Sequence, residues 1–407
     1  MLMAYVACFG YFLIRALIAA QCLWQSWSSG RMHGDGMQAK VMASGNETLS
    51  VIIPVHCETH KLASQYQQWS HLIPEVGAAR IAVCFVFPRQ VQSSELIATF
   101  ETLSKADPCP AIGYALDPAD ASNKCSKIDH ALRNIVDSQW VGVIDCDTSV
   151  EACAIEEVIG LLAKAKAVQL VPVSAFARSS VSALLYRSMR VYRTLFIEQL
   201  LGLASWRKPW LRRLLGLRYM CGASMFFHRQ VYVAYGPFPA WNDDMYLGYS
   251  LSANHEDVAV CRHVSSSPFP CGLKNVFWHR MRIRYMSLKA AWPVVMASPC
   301  RSRTLAQLLL GMACDHNKEI GILWCVAALF LFDGPALLAI LLLLSWVELM
   351  EYAAVRECLK RTEGVSGYSV LEHFIILPGL SLIELAASLV TVFWLDGVRL
   401  SKRVTAK

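Results

Sequence analysis

The apolar run at residues 140–147, WVGVIDCD, ends abruptly in two carboxylates, Asp145 and Asp147, on either side of Cys146. A short apolar run with polar boundaries predicts a buried strand of a parallel sheet, and ligands of such sheets bind just beyond the carboxyl ends of the strands. The two carboxylates would share a face if the strand continued through them. Oxygen ligands of this kind suit Mg²⁺ or Mn²⁺ carrying a diphosphate. A helix cap or a turn is the alternative interpretation of the pair.

The pattern around this run is that of an α/β domain, from Leu49 to about Met286. Apolar runs at residues 49–55, 80–87 and 167–173 are separated by helix-length segments. Such alternation predicts a mostly parallel, Rossmann-like sheet with helices on both faces. The predicted catalytic domain therefore spans residues 49–286.

The composition indicates a membrane protein. The mean hydropathy is +0.37, and only 17% of the 407 residues are charged, which is too apolar for an ordinary soluble chain. Residues 3–23 are long enough to cross a bilayer and lack signal-peptide features, so residues 1–24 are predicted to be a transmembrane anchor. Arg15, within it, either lines a polar cavity, pairs with another helix or packs there without further consequence. The polar residues 25–48 predict a cytoplasmic linker.

Basic, amphipathic helices are predicted on the membrane surface at residues 181–218. Arginines recur there every three residues, at Arg187, Arg190 and Arg193, and two tryptophans follow. An interfacial helix presents cations and indole rings to lipid headgroups in this way. A solvated basic helix is the alternative.

The last third of the chain has the pattern of a membrane region. Residues 287–319 predict an amphipathic interface segment, residues 320–398 a C-terminal transmembrane region and residues 399–407 a basic tail. The sequence Asp333-Gly334-Pro335 interrupts one apolar stretch, which makes it either a kinked span or a hairpin. The cations of one loop and those of the tail both favour the cytoplasmic side of the membrane. The number of spans therefore stays open, between three and five. We expect an integral protein of the plasma (inner) membrane, with its catalytic domain facing the cytoplasm.

Charge and cysteine content exclude other classes of protein. The 38 Lys and Arg residues exceed the 31 Asp and Glu residues modestly, which suits an anionic membrane surface or a phosphorylated substrate. No stretch has the pattern of a nucleic-acid-binding module, so we expect no nucleic acid partner. The 15 cysteines show no C-x-x-C pair and no zinc-like Cys/His spacing, so the spacing indicates neither a disulfide framework nor a zinc site.

A second acidic group lies downstream, at Asn242-Asp243-Asp244. It is either an N-cap with acidic residues in the first helical turn, or a carboxylate that takes a proton from an incoming hydroxyl group. Gly222 would allow a ligand to approach the backbone, and the Gly- and Pro-rich residues 236–239 predict a rigid turn just before the acids.

In this order the motifs resemble the family-2 glycosyltransferases, the membrane-bound group that includes cellulose, chitin and hyaluronan synthases and ceramide glucosyltransferase. The resemblance runs from Leu49 to about Tyr285. The similar segments are VIIPVHCE (51–58) for the first strand and its acidic turn, SKIDHALRN (126–134) for the Gly-Lys-x-x-Ala-Leu-Asn segment, DCD (145–147) for the metal-binding D-x-D, and DDMYLGYSL (243–251) for the Glu-Asp-x-x-Leu-Gly segment.

The resemblance implies a GT-A type fold and transfer with inversion, from a nucleotide-sugar donor to a hydroxyl of a membrane lipid or a glycan. A UDP-sugar is the implied donor and Mg²⁺ or Mn²⁺ the implied cofactor. Asp147 and Asp145 are the implied metal ligands, and Asp244 is the implied catalytic base. The implied donor contacts are Glu58, Lys127, Asp145, Arg284 and Tyr285, and the implied acceptor contacts are Gly222 and Asp243.

Two departures from the family pattern affect the prediction. Residues 85–90 contain no Asp after the second strand, so the nucleotide base is not fixed. The family's Gln-x-x-Arg-Trp motif falls on residues 281–285, where Met281 replaces Gln and Tyr285 replaces Trp. A basic juxtamembrane run is the alternative interpretation of this segment. The losses favour transfer of one sugar to a lipid over a processive polysaccharide synthase. A non-enzymatic membrane scaffold with the same fold is the third hypothesis.

Overall fold

The computed structural model describes most of the chain, apart from several segments. The described residues are 2–31, 48–56, 59–77, 80–89, 93–118, 123–173, 215–239, 242–267, 273–332, 334–359 and 369–378, with scattered positions between 191 and 211 and between 380 and 386. The predicted donor contact Glu58, most of the predicted basic helices at 181–218 and the tail at 399–407 lie outside them.

A seven-stranded sheet forms the centre of the α/β domain. Its strands are β1 (Leu49–Pro54), β2 (Ile81–Pro88), β3 (Ile112–Asp117), β4 (Trp140–Ile144), β5 (Ala167–Val173), β6 (Ser224–His228) and β7 (Val258–Ser266). The strand order is β3-β2-β1-β4-β6-β5-β7. Strand β6 runs antiparallel to both β4 and β5, and the other described pairings are parallel. The predicted mostly parallel sheet is confirmed.

Helices precede, connect and follow the strands along the chain. They are α1 (Leu2–Arg31), α2 (Thr59–Val76), α3 (Ser93–Ala106), α4 (Lys124–Asn134), α5 (Ala152–Leu162), α6 (Arg229–Tyr235), α7 (Asp243–Ala253), α8 (Leu273–Ala297), α9 (Arg301–Asp315), α10 (Asn317–Leu331) and α11 (Gly334–Leu359), followed by a π-helical segment at Glu372–Ile376.

Two apolar cores lie on opposite faces of the sheet because side chains alternate along each strand. Val51 and Ile53 of β1 pack into one core with helices α2, α3 and α5. Ile52, between them, packs into the other core with α4, α6 and α7. Burial on both faces explains why the strands were visible as continuous apolar runs rather than as alternating ones.

The predicted membrane segments receive partial support. Among the described residues, α11 is the one helix whose 26 residues are long and apolar enough to cross a membrane. The apolar part of α1, Gly10–Trp24, is shorter, so the N-terminal anchor stays a prediction. Helix α1 also continues to Arg31, past the predicted end of the anchor at residue 24. Helices α10 and α11 are separate and contact each other, which favours the hairpin over the kinked span.

Helix α9, in the predicted interface segment, packs backbone to backbone against the α/β domain. The Leu217 N–H donates to the Gln307 carbonyl over 2.9 Å. A Cβ atom at Gly311 would lie 2.2 Å from the Leu217 oxygen, and one at Gly216 would lie 2.2 Å from the Gln307 oxygen. Gly216 also has a φ of +70°, which side-chain-bearing residues rarely adopt. The two glycines therefore fix the interface segment directly to the domain.

Candidate active site

The D-x-D sequence lies in a tight turn at the end of β4. The Asp145 N–H extends the ladder by one bond, to the Ala223 carbonyl at 3.0 Å, and the Thr148 N–H then donates to the Asp145 carbonyl at 2.9 Å. The strand ends at Ile144, so the condition under which both carboxylates would share a strand face is not met. The two carboxylates still interact, since the charge of Asp147 is among the causes that raise the pKa of Asp145, after burial.

Helix α2 holds this turn through three long polar side chains. Gln65 donates to the Thr148 carbonyl over 2.8 Å, and Gln68 donates to the Val150 carbonyl over 2.7 Å. Lys61 lies 3.0 Å from an oxygen of Asp147. The turn is therefore fixed by a helix that precedes it by some eighty residues.

Lys124 lies at the centre of the acidic residues. It is the first residue of α4, whose N-cap Asn123 forms a capping box with Ser126. The Lys124 Nζ atom lies 2.8 Å from Asp145 Oδ1 and 3.2 Å from Asp243 Oδ2. It also donates to the carbonyl of Gly222 over 2.8 Å.

The surrounding carboxylates keep Lys124 charged. Burial alone lowers the pKa of a lysine, but the charges of Asp145, Asp243 and Asp244 outweigh it and hold the pKa of Lys124 well above its usual range. One ammonium group thus joins the D-x-D turn to the acids of α7.

The acids at the start of α7 have separate roles in the structure. Asn242 is the N-cap, and its side chain accepts a hydrogen bond from the Met245 N–H at 3.1 Å. Asp244 Oδ1 accepts from the same N–H at 2.7 Å. Asp243 is buried and faces Lys124. Because Asn242 makes the cap, both carboxylates remain available for other chemistry.

The carboxyl group of Asp244 has a raised pKa. Burial, and next the negative charge of Asp243, raise the pKa of Asp244 to about 7, although Lys124 opposes the shift. A carboxyl group with a pKa near neutrality is suited to proton transfer.

Gly222 leaves room for this carboxyl group. A Cβ atom at position 222 would lie 2.5 Å from Asp244 Oδ2, closer than real contacts allow. The absent side chain and the Lys124 hydrogen bond place Gly222 in the site. Its predicted contact with an acceptor stays a prediction.

The charges of the site fit a divalent cation. Four carboxylates (Asp145, Asp147, Asp243 and Asp244) face two ammonium groups (Lys61 and Lys124). When all are ionised the cluster carries an excess of two negative charges. Asp145 and Asp147 are 35% and 29% exposed, so an ion from solvent can reach them. An oxygen-only donor set of this kind suits Mg²⁺ or Mn²⁺.

Of the other predicted donor contacts, the structure describes Lys127, Arg284 and Tyr285. Lys127 is fully buried, and its Nζ atom lies 2.9 Å from Nδ1 of His56, at the carboxyl end of β1. Arg284 is buried in α8, with Nη2 3.3 Å from Nδ1 of His316, and the Tyr285 ring centroid is 5.7 Å from Nζ of Lys289.

A hydrogen bond brings the segment at 281–285 next to the acids. The side-chain amide of Asn242 donates to the carbonyl of Met286 over 3.0 Å. Arg284 and Tyr285 thus come close in the fold to the start of α7. Their contact with a donor stays a prediction.

The sequence interpretation missed Lys124, Lys61 and Gln65. A signal for Lys124 was present, since Asn123 and Ser126 have the spacing of a capping box and mark the start of a helix that follows β3. Its first residue then lies at the edge of the sheet where parallel strands end. No comparable signal marks Lys61 or Gln65.

A comparison with solved structures shows a similar fold in a mannosyltransferase and weaker likenesses in other proteins. The mannosyltransferase PcManGT from Pyrobaculum calidifontis, in complex with GDP-Man and Mn²⁺, matches with a TM-score of 0.53 at 14% identity, over 95% of this chain and 97% of that chain. TarS (residues 1–349) of S. aureus matches with a TM-score of 0.41 at 8% identity, over 87% and 92% of the two chains. Glucosyl-3-phosphoglycerate synthase from Mycobacterium tuberculosis matches with a TM-score of 0.38 at 12% identity, over 60% and 80%.

Comparisons of the sequence find no match. No family model matches the chain, and no curated protein matches its sequence significantly. The likeness to PcManGT confirms the predicted GT-A type fold. Membership of the membrane-bound family-2 group stays a prediction.

Proposed function

We propose that the protein is a membrane-bound, metal-dependent, inverting glycosyltransferase. It moves a sugar from a nucleotide-diphosphate sugar to a hydroxyl group of a membrane lipid. The observation that carries this proposal is the convergence of Asp145, Asp243 and Asp244 around Lys124, with Asp147 paired to Lys61 in the same turn, at the carboxyl end of β4 in a GT-A type fold.

The D-x-D turn is the donor side of the proposed site. Asp147 and Asp145 would hold Mg²⁺ or Mn²⁺, which neutralises the diphosphate of the donor and stabilises it as a leaving group. Glu58, Lys127, Arg284 and Tyr285 are the further donor contacts in this proposal. Lys124 adds a positive charge at the same place and orients Asp145 through its 2.8 Å ion pair.

Asp244 is the proposed general base on the acceptor side. Its carboxylate takes the proton of the acceptor hydroxyl while that oxygen forms a bond to the anomeric carbon and the bond from this carbon to the diphosphate oxygen breaks. Attack from the face opposite the leaving group gives one displacement with inversion. Gly222 and Asp243 are the proposed acceptor contacts, and Gly222 leaves the space that the Asp244 carboxyl group occupies.

A lipid acceptor suits the surface next to Asp244. Helix α7 is tied to α8 by the Asn242–Met286 hydrogen bond, and later turns of α8 expose Trp292 (58%) and Met296 (42%). Exposed apolar side chains continue along α9, α10 and α11; examples are Leu309, Leu329, Phe330 and Leu342. An apolar surface this extensive suits a bilayer. We place the protein in the plasma membrane with its site on the cytoplasmic side.

A transfer assay tests the proposal. Membranes containing the full chain are given Mn²⁺ and a panel of labelled UDP- and GDP-sugars, and the lipid extract is then sized. We expect label in a lipid that carries one sugar, with loss of label for Asp244→Asn by about 100-fold or more, the usual contribution of a general base.

The exposed Asp137, in the loop before β4 at the other end of that strand, provides the matched control. The Asp137→Asn variant should transfer sugar like the wild type. A long polymer in place of the glycolipid would identify a processive synthase. Failure of every donor, together with absence of nucleotide binding, would identify a scaffold.

A further inference from the structure

A second group of metal-ligating side chains lies at β7, the last strand in the order of the sheet. It consists of Glu157 on α5 and of Cys261 and His263 on β7, and one ligand atom of each lies within 4.8 Å of the others. Cys261 and His263 both face α5, since each contacts Glu157. Glu157 is separated from Cys261 by 104 residues. A search of the sequence for closely spaced metal ligands therefore does not find this group.

The strand is distorted at this group. Gln169 of β5 pairs with Val260 of β7, but Val171 pairs with Val264, so β7 carries two extra residues between these pairs. The N–H groups of Arg262 and His263 lie in this bulge and donate to the carboxylate of Glu157, at 3.0 Å and 3.2 Å. Bulges often turn side chains toward a site. Here the bulge brings a thiol and an imidazole to one carboxylate.

Two side-chain protons converge on a single oxygen of Glu157. Cys261 Sγ lies 2.9 Å and His263 Nδ1 lies 2.7 Å from Glu157 Oε2. The hydrogen bond to Glu157 raises the pKa of His263. Burial, and then the charge of Glu157, raise the pKa of the Cys261 thiol well above its usual range. The thiol and the imidazole thus meet at one oxygen atom of the carboxylate.

We propose that Glu157, Cys261 and His263 bind a divalent transition metal of the zinc type, at a site separate from the aspartates of the D-x-D turn. Sulfur, nitrogen and carboxylate oxygen are the ligands of Zn²⁺, whereas Mg²⁺ prefers oxygen alone. His263 is 37% exposed, so solvent can supply a fourth ligand.

The exchange of protons for metal balances in charge. The S–H bond of Cys261 and the Nδ1–H bond of His263 break, both protons pass to solvent, and the two freed lone pairs bind the cation. The two positive charges of the metal then offset the negative charges of the thiolate and the carboxylate. The backbone N–H groups of the bulge continue to orient Glu157.

The proposed site is connected to the D-x-D turn through β7. Ser266, at the end of this strand, exchanges two backbone hydrogen bonds with Ser149, at 2.7 Å and 2.9 Å. Ser149 lies two residues after Asp147. A metal that fixes the bulge therefore holds the strand that borders the turn.

Cobalt spectroscopy on the full chain in detergent tests the proposal. Metal is removed with a chelator, Mg²⁺ is added to saturate the oxygen-ligand site, and Co²⁺ is titrated in. We expect a near-ultraviolet thiolate-to-cobalt charge-transfer band that saturates at about one equivalent and is displaced by Zn²⁺. The band should be lost in His263→Gln and in Cys261→Ala. Absence of the band, or its persistence in His263→Gln, would overturn the proposal.

Two control variants separate this site from others. Cys300→Ser removes an exposed thiol elsewhere, and Asp147→Asn alters the aspartate site; both should keep the band. Because Cys261 is fully buried, the partly exposed His263 is the decisive position, and circular dichroism verifies that its variant is folded. The cobalt band does not depend on sugar transfer. The experiment therefore tests the metal site independently of the proposed enzyme function.

Discussion

The side chains of the candidate site hold four carboxylates close together, and two ammonium groups balance only part of their negative charge. Lys124 has ion pairs with Asp145 and Asp243, and Asp244 lies in the same electrostatic group. Burial raises the free energy of each additional negative charge. Burial and the negative charge of Asp243 therefore raise the pKa of Asp244 to about 7.

This shift predicts a pH dependence of activity. If Asp244 is the base, kcat/KM should rise with pH through about 7, since only its ionised form accepts a proton. The charges of Asp243 and Asp145 favour the protonated form, and Lys124 opposes them. The measurement is a pH profile of sugar transfer. A rate that is flat between about pH 5.5 and 8.5 would contradict the assignment of Asp244.

The same shift has the opposite effect on stability. A carboxyl group whose pKa is raised on folding stabilises the fold fully below its unfolded pKa of about 3.9, and this contribution is lost as pH rises through the folded pKa of about 7. The free energy of unfolding should fall less over this range in Asp244→Asn than in the wild type. Activity and stability thus change in opposite directions with pH.

Among the helices, a buried ion cluster joins α1, α10 and α11. Arg15 of α1 lies 2.7 Å from an oxygen of Glu351 and 3.1 Å from one of Glu348, both on α11. Lys318 of α10 lies 2.7 Å from the other oxygen of Glu351 and also contacts Glu348. Of the three interpretations of Arg15 from sequence, pairing with another helix is therefore confirmed. A charge within apolar helices is tolerated when it is paired.

Breaking this cluster should destabilise the helices. Arg15→Leu leaves Glu348 and Glu351 with reduced compensation, and removal of one partner from a buried ion pair costs about 3–5 kcal/mol. We expect a clear drop in the thermal unfolding temperature in detergent and in accumulation in membranes. Arg356→Ala removes an exposed arginine of the same helix α11 and serves as the control. Equal stability of the Arg15 variant and the wild type would show that the cluster does not hold α1.

For the molecule as a whole, the sequence was sufficient to predict the strands and motifs that are marked by a local pattern. Strands β1, β2, β4 and β5 are continuous apolar runs, and the two acidic motifs lie at the end of a strand and the start of a helix. The position of β6 between β4 and β5 was not predictable, because strand order depends on contacts between distant segments. Lys61 and Gln65 were missed for the same reason. The group at Glu157 likewise forms only when α5 packs against β7.

Calorimetric binding of nucleoside diphosphates tests whether the D-x-D turn is a metal-dependent donor site. The wild-type chain in detergent should bind one member of a panel of nucleoside diphosphates with Mn²⁺ and lose that binding when the metal is chelated. Asp147→Asn should abolish the binding, whereas Asp244→Asn should keep it and lose only sugar transfer. Binding by Asp147→Asn equal to that of the wild type, or no metal-dependent binding by the wild type, would contradict the account.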